Sequence, residues 1–356
     1  MNNVPKVSII VTNYNNVKDT LECLDSIKAT TYNNYEIIVV DDGSTDNSAQ
    51  ALRNREGICF IESGKNNGFV RANNIGIEHS AGDMICLLNN DTVVDGQWLT
   101  ELVNTVLSDE KIAAAYPFFI DYGTPKHKMW PTPSVLKILK NTTYNLIGYP
   151  IPNVFDDYIT TYLNASGCCL IFRKNIFDRY SDNDYFLYYD DIYFCWRLLL
   201  NGYKLKRSPY AVVYHKGSNT ATGIKRLRSR SRYLCDRNRI MTLLIFYQAK
   251  TLIRIFPVLL ADEIKKIMLM PFRLFYDPGY ISVIISARLW LLSNIFKIYK
   301  KRKFIQSERK IPDECIIKGL TYKVTGSSNF LVGIFNIPFL VYARIVGLKT
   351  YEIIKK

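Results

Sequence analysis

Chemically able side chains stand directly behind apolar runs at several places in this chain. Thr12-Asn13-Tyr14-Asn15 follows Val7 to Val11, Asp41-Asp42-Gly43-Ser44 follows Glu36 to Val40, and Asn89-Asn90-Asp91 follows Met84 to Leu88. Further on, Asp190 and Asp191 stand side by side ahead of a helical pattern, and His215 closes the run Tyr210 to Tyr214. A carboxylate such as Asp91 can hold Mg²⁺ or Mn²⁺, hard cations that prefer oxygen, although Asn-Asn-Asp is equally an ordinary turn. Two adjacent carboxylates resist joint ionisation, which raises one pKa toward that of a useful general base. The same pair also favours a helix N-terminus, and a lone histidine at a strand end is usually structural.

The elements that must carry these residues alternate between two periods. Short apolar runs at Val7 to Val11, Glu36 to Val40, Ile58 to Ile61 and Met84 to Leu88 predict strands. Between them lie amphipathic stretches, with Leu21, Leu24 and Ile27 at helical spacing and a helix from Gly68 to His79. Ser44 or Thr45 is the expected N-cap of the helix after the second strand. Strands alternating with helices imply a mostly parallel sheet covered on both faces, an α/β architecture. Such sheets bind ligands beyond the carboxyl ends of their strands, where the polar clusters converge. From Pro117 to about Tyr162 the pattern weakens into expected loops. Strands return at Leu163 to Phe172 and at Tyr210 to Tyr214, with a helix at Ile192 to Leu200 between them.

Charge is unevenly spread over the 356 residues. Residues 1–215 hold 19 Lys and Arg against 24 Asp and Glu, while residues 216–310 hold 21 against 5. Basic segments seek phosphates, on nucleic acid or on anionic lipid. In the rear third, apolar runs are broken by Lys or Arg every few residues, and none reaches the roughly 20 residues a spanning helix needs. Helices with one apolar face and basic flanks lie in the membrane interface. The cluster Lys297-Ile-Tyr-Lys-Lys-Arg-Lys303 suits anionic headgroups. No nucleic-acid recognition motif accompanies the charge. The expected partner is an anionic membrane surface and not nucleic acid; the alternative is a helical subdomain packed on the rest. Eight scattered cysteines without C-x-x-C argue against a zinc site or disulfide framework. Met1 to Lys6 runs straight into the first strand, so no targeting segment is expected and the location is the cytoplasmic face of the membrane.

Several motifs in order carry a resemblance. Val7-Ser-Ile-Ile-Val-Thr-Asn-Tyr-Asn15, Val39-Val-Asp-Asp-Gly-Ser-Thr-Asp46, Asn66-Asn-Gly-Phe-Val-Arg-Ala-Asn-Asn-Ile-Gly76 and Leu87-Leu-Asn-Asn-Asp-Thr92 resemble the family 2 glycosyltransferases, most closely a rhamnosyltransferase-like subgroup. The resemblance covers roughly residues 4–240. It implies a Rossmann-like GT-A fold and a nucleotide-sugar donor. By this resemblance Asp42 accepts a hydrogen bond from the pyrimidine base, while Thr12, Asn13 and Tyr14 contact the nucleotide. Asn90 bonds ribose or phosphate, and Arg71 reaches base or diphosphate unless it is an ordinary helix-surface arginine. Asp91 binds the metal, with His215 completing that site. Asp191 is the catalytic base and Asp190 its support, within Asp190-Asp191-Ile-Tyr-Phe-Cys-Trp-Arg197. The family writes the metal motif Asp-x-Asp, whereas Asn89 stands first here, and Tyr193 stands where relatives have Asp.

Residues 1–120 are thus expected to form the donor-binding half of the catalytic domain. Residues 121–225 form the acceptor and base half, and residues 226–356 a basic, membrane-associated helical region. The expected activity is inverting, metal-dependent transfer from a UDP- or dTDP-sugar to a polyprenyl-linked glycan. A sugar-nucleotidyltransferase would need a Gly-rich loop after the first strand, and Thr12 to Asn15 holds no glycine. The remaining alternative is a catalytically weakened nucleotide-sugar-binding or membrane scaffold protein.

Overall fold

The computed structural model describes residues 4–123, 142–152, 165–177, 179–217, 225–271, 273, 277, 279–323 and 336–350. Leu163, Asn164, residues 329–335 and the side chains of residues 225–228 lie outside the described residues. The chain divides into two compact units. The first comprises residues 1–139, 165–194 and 203–219; the second comprises 140–164, 195–202 and 220–356.

The first unit is a sheet of eight strands with helices. Its opening elements are β1 (Val7–Asn13), α1 (Val17–Ile27), β2 (Tyr35–Asp41), α2 (Ser48–Arg53), β3 (Cys59–Glu62), α3 (Phe69–Glu78) and β4 (Met84–Asn89). Five consecutive residues of β2 and five of β4 are buried. That is the continuous apolar pattern of strands covered on both faces, each fully buried Val, Leu or Ile stabilising by about 1.5–3 kcal/mol. On α1 the buried positions Thr20, Cys23, Leu24 and Ile27 recur at helical spacing. Ser44 does not cap α2, which starts at Ser48; its hydroxyl instead donates to Asp41 Oδ1 at 2.6 Å.

Next come β5 (Thr92–Val94), α4 (Trp98–Leu107) and β6 (Ile112–Asp121). β6 runs through Pro117, where the sequence predicts loops. Its register against a later strand shifts just there, from Tyr116 opposite Arg207 to Phe118 opposite Val212. Proline is tolerated at such an irregularity because no ladder hydrogen bond is required of it. The chain re-enters this sheet as β9 (Cys169–Arg173), and continues through α5 (Asp190–Leu200) and β10 (Lys204–His215), after β7 (Thr142–Tyr144) and β8 (Pro150–Pro152) have paired in the second unit.

The strand order is β3-β2-β1-β4-β9-β6-β10-β5. The sheet is mostly parallel, as expected, but mixed: β9 runs antiparallel to β4 and β6, and β5 antiparallel to β10. Apolar runs report burial and not direction, so the reversal was invisible in sequence. It has a consequence for the site. A strand antiparallel to β4 begins where β4 ends, which brings residues 167–168 to the edge that holds Asn89.

The second unit contains α6 (Lys225–Phe246), α7 (Ala249–Met268), α8 (Gly279–Ser293), α9 (Ile295–Glu308), α10 (Glu314–Ile317) and α11 (Ile337–Ile345). The Arg-rich stretch at 225–232 is the start of α6. Arg197, at the α5 end belonging to this unit, is 4% exposed and bonds Glu308 twice, at 2.8 and 2.7 Å. Arg239 is buried, donates to Ile147 O at 2.8 Å and stacks over the Tyr149 ring at 4.1 Å. Among the described residues no single helix is long and apolar enough to cross a membrane; α8 and α9 pass that test only as a pair bent by 67°.

Candidate active site

The carboxyl ends of β1, β2 and β4 are tied together by one chain of side-chain hydrogen bonds. Asn90 Nδ2 donates to Thr20 Oγ1 at 2.9 Å, and that hydroxyl donates to Asn13 Oδ1 at 2.7 Å. Asn13 Nδ2 in turn donates to Asp41 Oδ1 at 2.7 Å and Ser44 Oγ at 3.1 Å. The Asn13 amide is therefore spent internally and the residue is 1% exposed. Thr12 is half-buried and Tyr14 is exposed, so both remain accessible on the same edge.

Asp42 is buried, and its two oxygens receive the backbone N–H groups of Asn67 at 2.9 Å and Gly68 at 2.8 Å. Burial raises its pKa and outweighs these stabilising donors. Gly68 has φ of +91°, and a Cβ there would lie 2.4 Å from the Phe186 ring. Only glycine suits both the backbone and the contact. Phe186 also accepts the Val70 N–H at 3.2 Å. Arg71, expected near the donor, is half-exposed and pairs with Glu78 along α3 at 3.0 Å.

Phe186, Tyr188 and Tyr189 all have φ between 60 and 69°, a left-handed conformation that bulky side chains rarely take. Such strain persists only where surrounding structure imposes it. Here it immediately precedes Asp190 and Asp191 at the start of α5. Asp190 is buried and accepts from the Tyr180 hydroxyl at 3.1 Å. Burial raises the pKa of both acids, and the charge of Asp190 adds to the rise at Asp191. Tyr193, the departure from the family pattern, is buried against Tyr185 with ring centroids 5.3 Å apart. It fills core.

His215 reaches Asp91 through pairing that sequence reasoning missed. His215 lies opposite Thr92 in the β10–β5 ladder, and Lys216 N–H bonds the Asp91 carbonyl at 3.0 Å. Its Nε2 sits 3.3 Å from Asp91 Oδ2 and 3.5 Å from Cys168 Sγ. Burial disfavours the imidazolium, but Asp91 and Cys168 win and raise the pKa to about 10. Lys216 is committed elsewhere, to Asp19 and Glu22 at 2.5 Å each.

Gly167 and Cys168 link the two acid groups. A Cβ built on Gly167 would lie 3.8 Å from Asp191 Cβ and 3.9 Å from Asp190 Oδ2. The next residue, Cys168, meets His215, and its carbonyl accepts the Asn89 N–H at 2.8 Å. Consecutive Cα atoms are about 3.8 Å apart, so Asp191 and the Asp91–His215 pair flank one short segment. Gly167, Cys168 and Tyr180 were not legible in sequence, since nothing in their local pattern marks them.

Two buried oxygens at this edge, Asp91 Oδ1 and Asn89 Oδ1, have no hydrogen-bond partner among the described residues. Unpaired buried acceptors are costly, and a cation satisfies them. A carboxylate and an amide oxygen suit Mg²⁺ or Mn²⁺, and the His215 imidazole would join them by giving up its proton as the cation enters. Among the described residues no three His, Cys, Asp or Glu side chains are grouped to hold a metal by themselves. The remaining positions would fall to water or a bound diphosphate.

Residues 8–181 match the family model described as Glycosyl transferase family 2. This segment is similar to family 2 glycosyltransferase domains. It holds Thr12, Asn13, Tyr14, Asp42, Arg71, Asn90 and Asp91, and ends before Asp190, Asp191 and His215. Over 231 residues the chain is 26% identical to the poly-beta-1,6-N-acetyl-D-glucosamine synthase of Staphylococcus aureus strain COL, covering 63% of this chain and 53% of that one. It is 33% identical over 104 residues to the glycosyltransferase GlyG of Streptococcus pneumoniae serotype 4, covering 28% of this chain and 35% of that protein. The chain thus spans about half the length of the first relative and about a third of the second. Among solved structures, GalNAc-T7 with UDP, GalNAc and Mn²⁺ superposes with a TM-score of 0.52 at 14% identity, over 65% of this chain and 48% of that one. The first unit has a GT-A-like α/β fold with a mixed sheet.

Proposed function

We propose that this protein is an inverting, divalent-cation-dependent glycosyltransferase acting in cell-surface polysaccharide assembly. It moves a sugar from a UDP- or dTDP-sugar, rhamnose-like donors included, to a polyprenyl-linked glycan. The observation that carries the reading is the short Gly167–Cys168 segment, with the Asp190–Asp191 pair against one residue and His215, bonded to Asp91, against the next.

In this reading Asp191 takes the proton of the acceptor hydroxyl as its oxygen attacks the anomeric carbon and the bond to the diphosphate breaks. A carboxylate with a raised pKa is suited to that task. Asp190, fixed by Tyr180, orients it. Thr12, Tyr14 and Asn90 contact the donor, and Asp42 offers its remaining lone pairs to the base. Asp91 and His215 would hold Mg²⁺ or Mn²⁺, which neutralises the leaving diphosphate. The polysaccharide-synthase name of one relative, and the UDP and Mn²⁺ in a structure of like fold, agree with this reading.

Incubating the purified chain with a panel of nucleotide sugars should release one nucleoside diphosphate with Mg²⁺ or Mn²⁺, and none with chelator. A second reading, a weakened donor-binding protein, draws on Asn89 in place of a carboxylate. Donor binding without diphosphate release, with every acceptor class supplied, would favour it.

A further inference from the structure

In the second unit α7 is built inside out for a helix in water. Its inward face carries Asp262 and Lys266, 5% and 6% exposed. They join a network in which Lys266 lies 3.1 Å from both Asp236 and Asp262, and Arg288 bonds Glu263 at 2.6 Å and Asp236 at 2.5 Å. Tyr149 donates to Asp262 at 2.7 Å. The outward face is apolar: Ile253, Phe256, Leu260, Ile264 and Ile267 are all exposed, Ile253 by 73%. Their steps of three and four residues make one continuous stripe.

The same pattern recurs on the bent pair. Ile285, Leu289 and Leu292 on α8, then Phe296 and Tyr299 on α9, are exposed at the same steps, Phe296 by 82%. On α8 the opposite face is buried through Val283, Ile284, Ala287 and Leu291, so the exposed stripe is additional to its core contacts. Contiguous apolar surface of this extent marks an interaction site.

We propose that the exposed faces of α7 and of the α8–α9 pair form a docking surface for an anionic lipid leaflet, into which the stripes insert without crossing. Charge selects this occupant. Residues 216–310 carry 21 Lys and Arg against 5 Asp and Glu, and exposed Lys250, Lys265, Lys300 and Lys303 lie on the helices that bear the stripes. Lysine stems can lie along acyl chains while their heads reach phosphate. The inward ionic network of α7 needs no water, and the outward stripe is costly in it. A low-dielectric neighbour removes that conflict. The proposal is independent of the transferase reading.

The test is flotation of the full chain with vesicles of phosphatidylglycerol and phosphatidylcholine, against vesicles of phosphatidylcholine alone. Wild type should float with the anionic vesicles, less with the neutral ones, and less again at high salt. The triple variant Phe256→Ser, Leu260→Ser, Ile264→Ser should bind at least about tenfold more weakly, while Tyr210→Ser, exposed on β10, should not change binding. If the triple variant misfolds, Phe256→Trp serves instead. Its added fluorescence should shift to the blue with anionic vesicles and be quenched by brominated lipid. The proposal is overturned if wild type fails to float, if the triple variant floats as wild type does, or if the Phe256→Trp signal ignores lipid. It is also overturned if light scattering shows a dimer that the triple variant dissolves, because a second copy then covers the face. No sugar donor is present in these measurements, so failure here leaves the transferase reading standing.

Discussion

Each unit buries a cluster of carboxylates, and the two clusters are treated in opposite ways. In the second unit burial alone would raise the pKa of Asp236, but Arg239 and Lys266, with Arg288, hold it down to about 2. In the first unit burial raises Asp190 and Asp191, and for Asp190 the bonds from Tyr180 and the backbone only moderate the rise. The same side chain is therefore held ionised in one place and left with a raised pKa in the other. What differs is the nearby cations. A buried acid matched by cations is fixed, whereas one left to desolvation keeps a proton equilibrium available for chemistry.

The comparison can be broken most sharply at Asp191. Replacing it with Asn should lower transfer by about 10³-fold with donor affinity retained, measured by product formation and nucleotide binding. The same variant should be more stable than wild type. A raised folded pKa means the ionised acid costs stability once pH exceeds the unfolded value of about 3.9, so the gain should be absent below that pH, grow up to the folded value of about 7 and stay level above it. Thermal unfolding at several pH values checks it; a destabilised Asp191→Asn at pH 8 would refute the contrast.

Arg288→Met should do the reverse, destabilising by about 2 kcal/mol because Asp236 and Glu263 lose a half-buried partner. In wild type the contribution of Asp236 should be complete above about pH 4 and be lost as pH falls toward 2, since its folded pKa is depressed. Urea midpoints across that range measure it. Gly68→Ala should cost about 2 kcal/mol, because φ of +91° and the Phe186 ring both oppose a Cβ. Loss of activity should exceed loss of stability if the strained 186–189 segment positions the acids. The smallest effect is expected at Tyr180→Phe: about 1 kcal/mol of stability, kcat down about tenfold, and donor KM unchanged. Without that hydroxyl the charged form of Asp190 loses a donor, so the acidic limb of the pH–rate profile should move upward.

The strands at Val7–Asn13, Tyr35–Asp41 and Met84–Asn89 could be read directly, because continuous buried apolar runs are encoded locally. So could the convergence of Thr12, Asp42 and Asp91 on one edge, which follows from parallel pairing of those strands. The reversed strand β9 could not, nor could the bulge that admits Pro117 into β6, since direction and register depend on neighbours remote in sequence. For the same reason Gly167, Cys168 and Tyr180 went unmarked, and nothing in the sequence placed Glu78 beside Arg71 or Asp19 and Glu22 beside Lys216.

The rear helices make the same point about polarity. Periodicity alone placed apolar and charged residues on faces of α7, yet it could not say which face turns outward. By itself the sequence determined which residues are apolar, which are charged and at what period. Only tertiary packing decided which carboxylates meet cations and which helix face meets solvent. Those are matters of distance and desolvation between residues that the chain order keeps far apart.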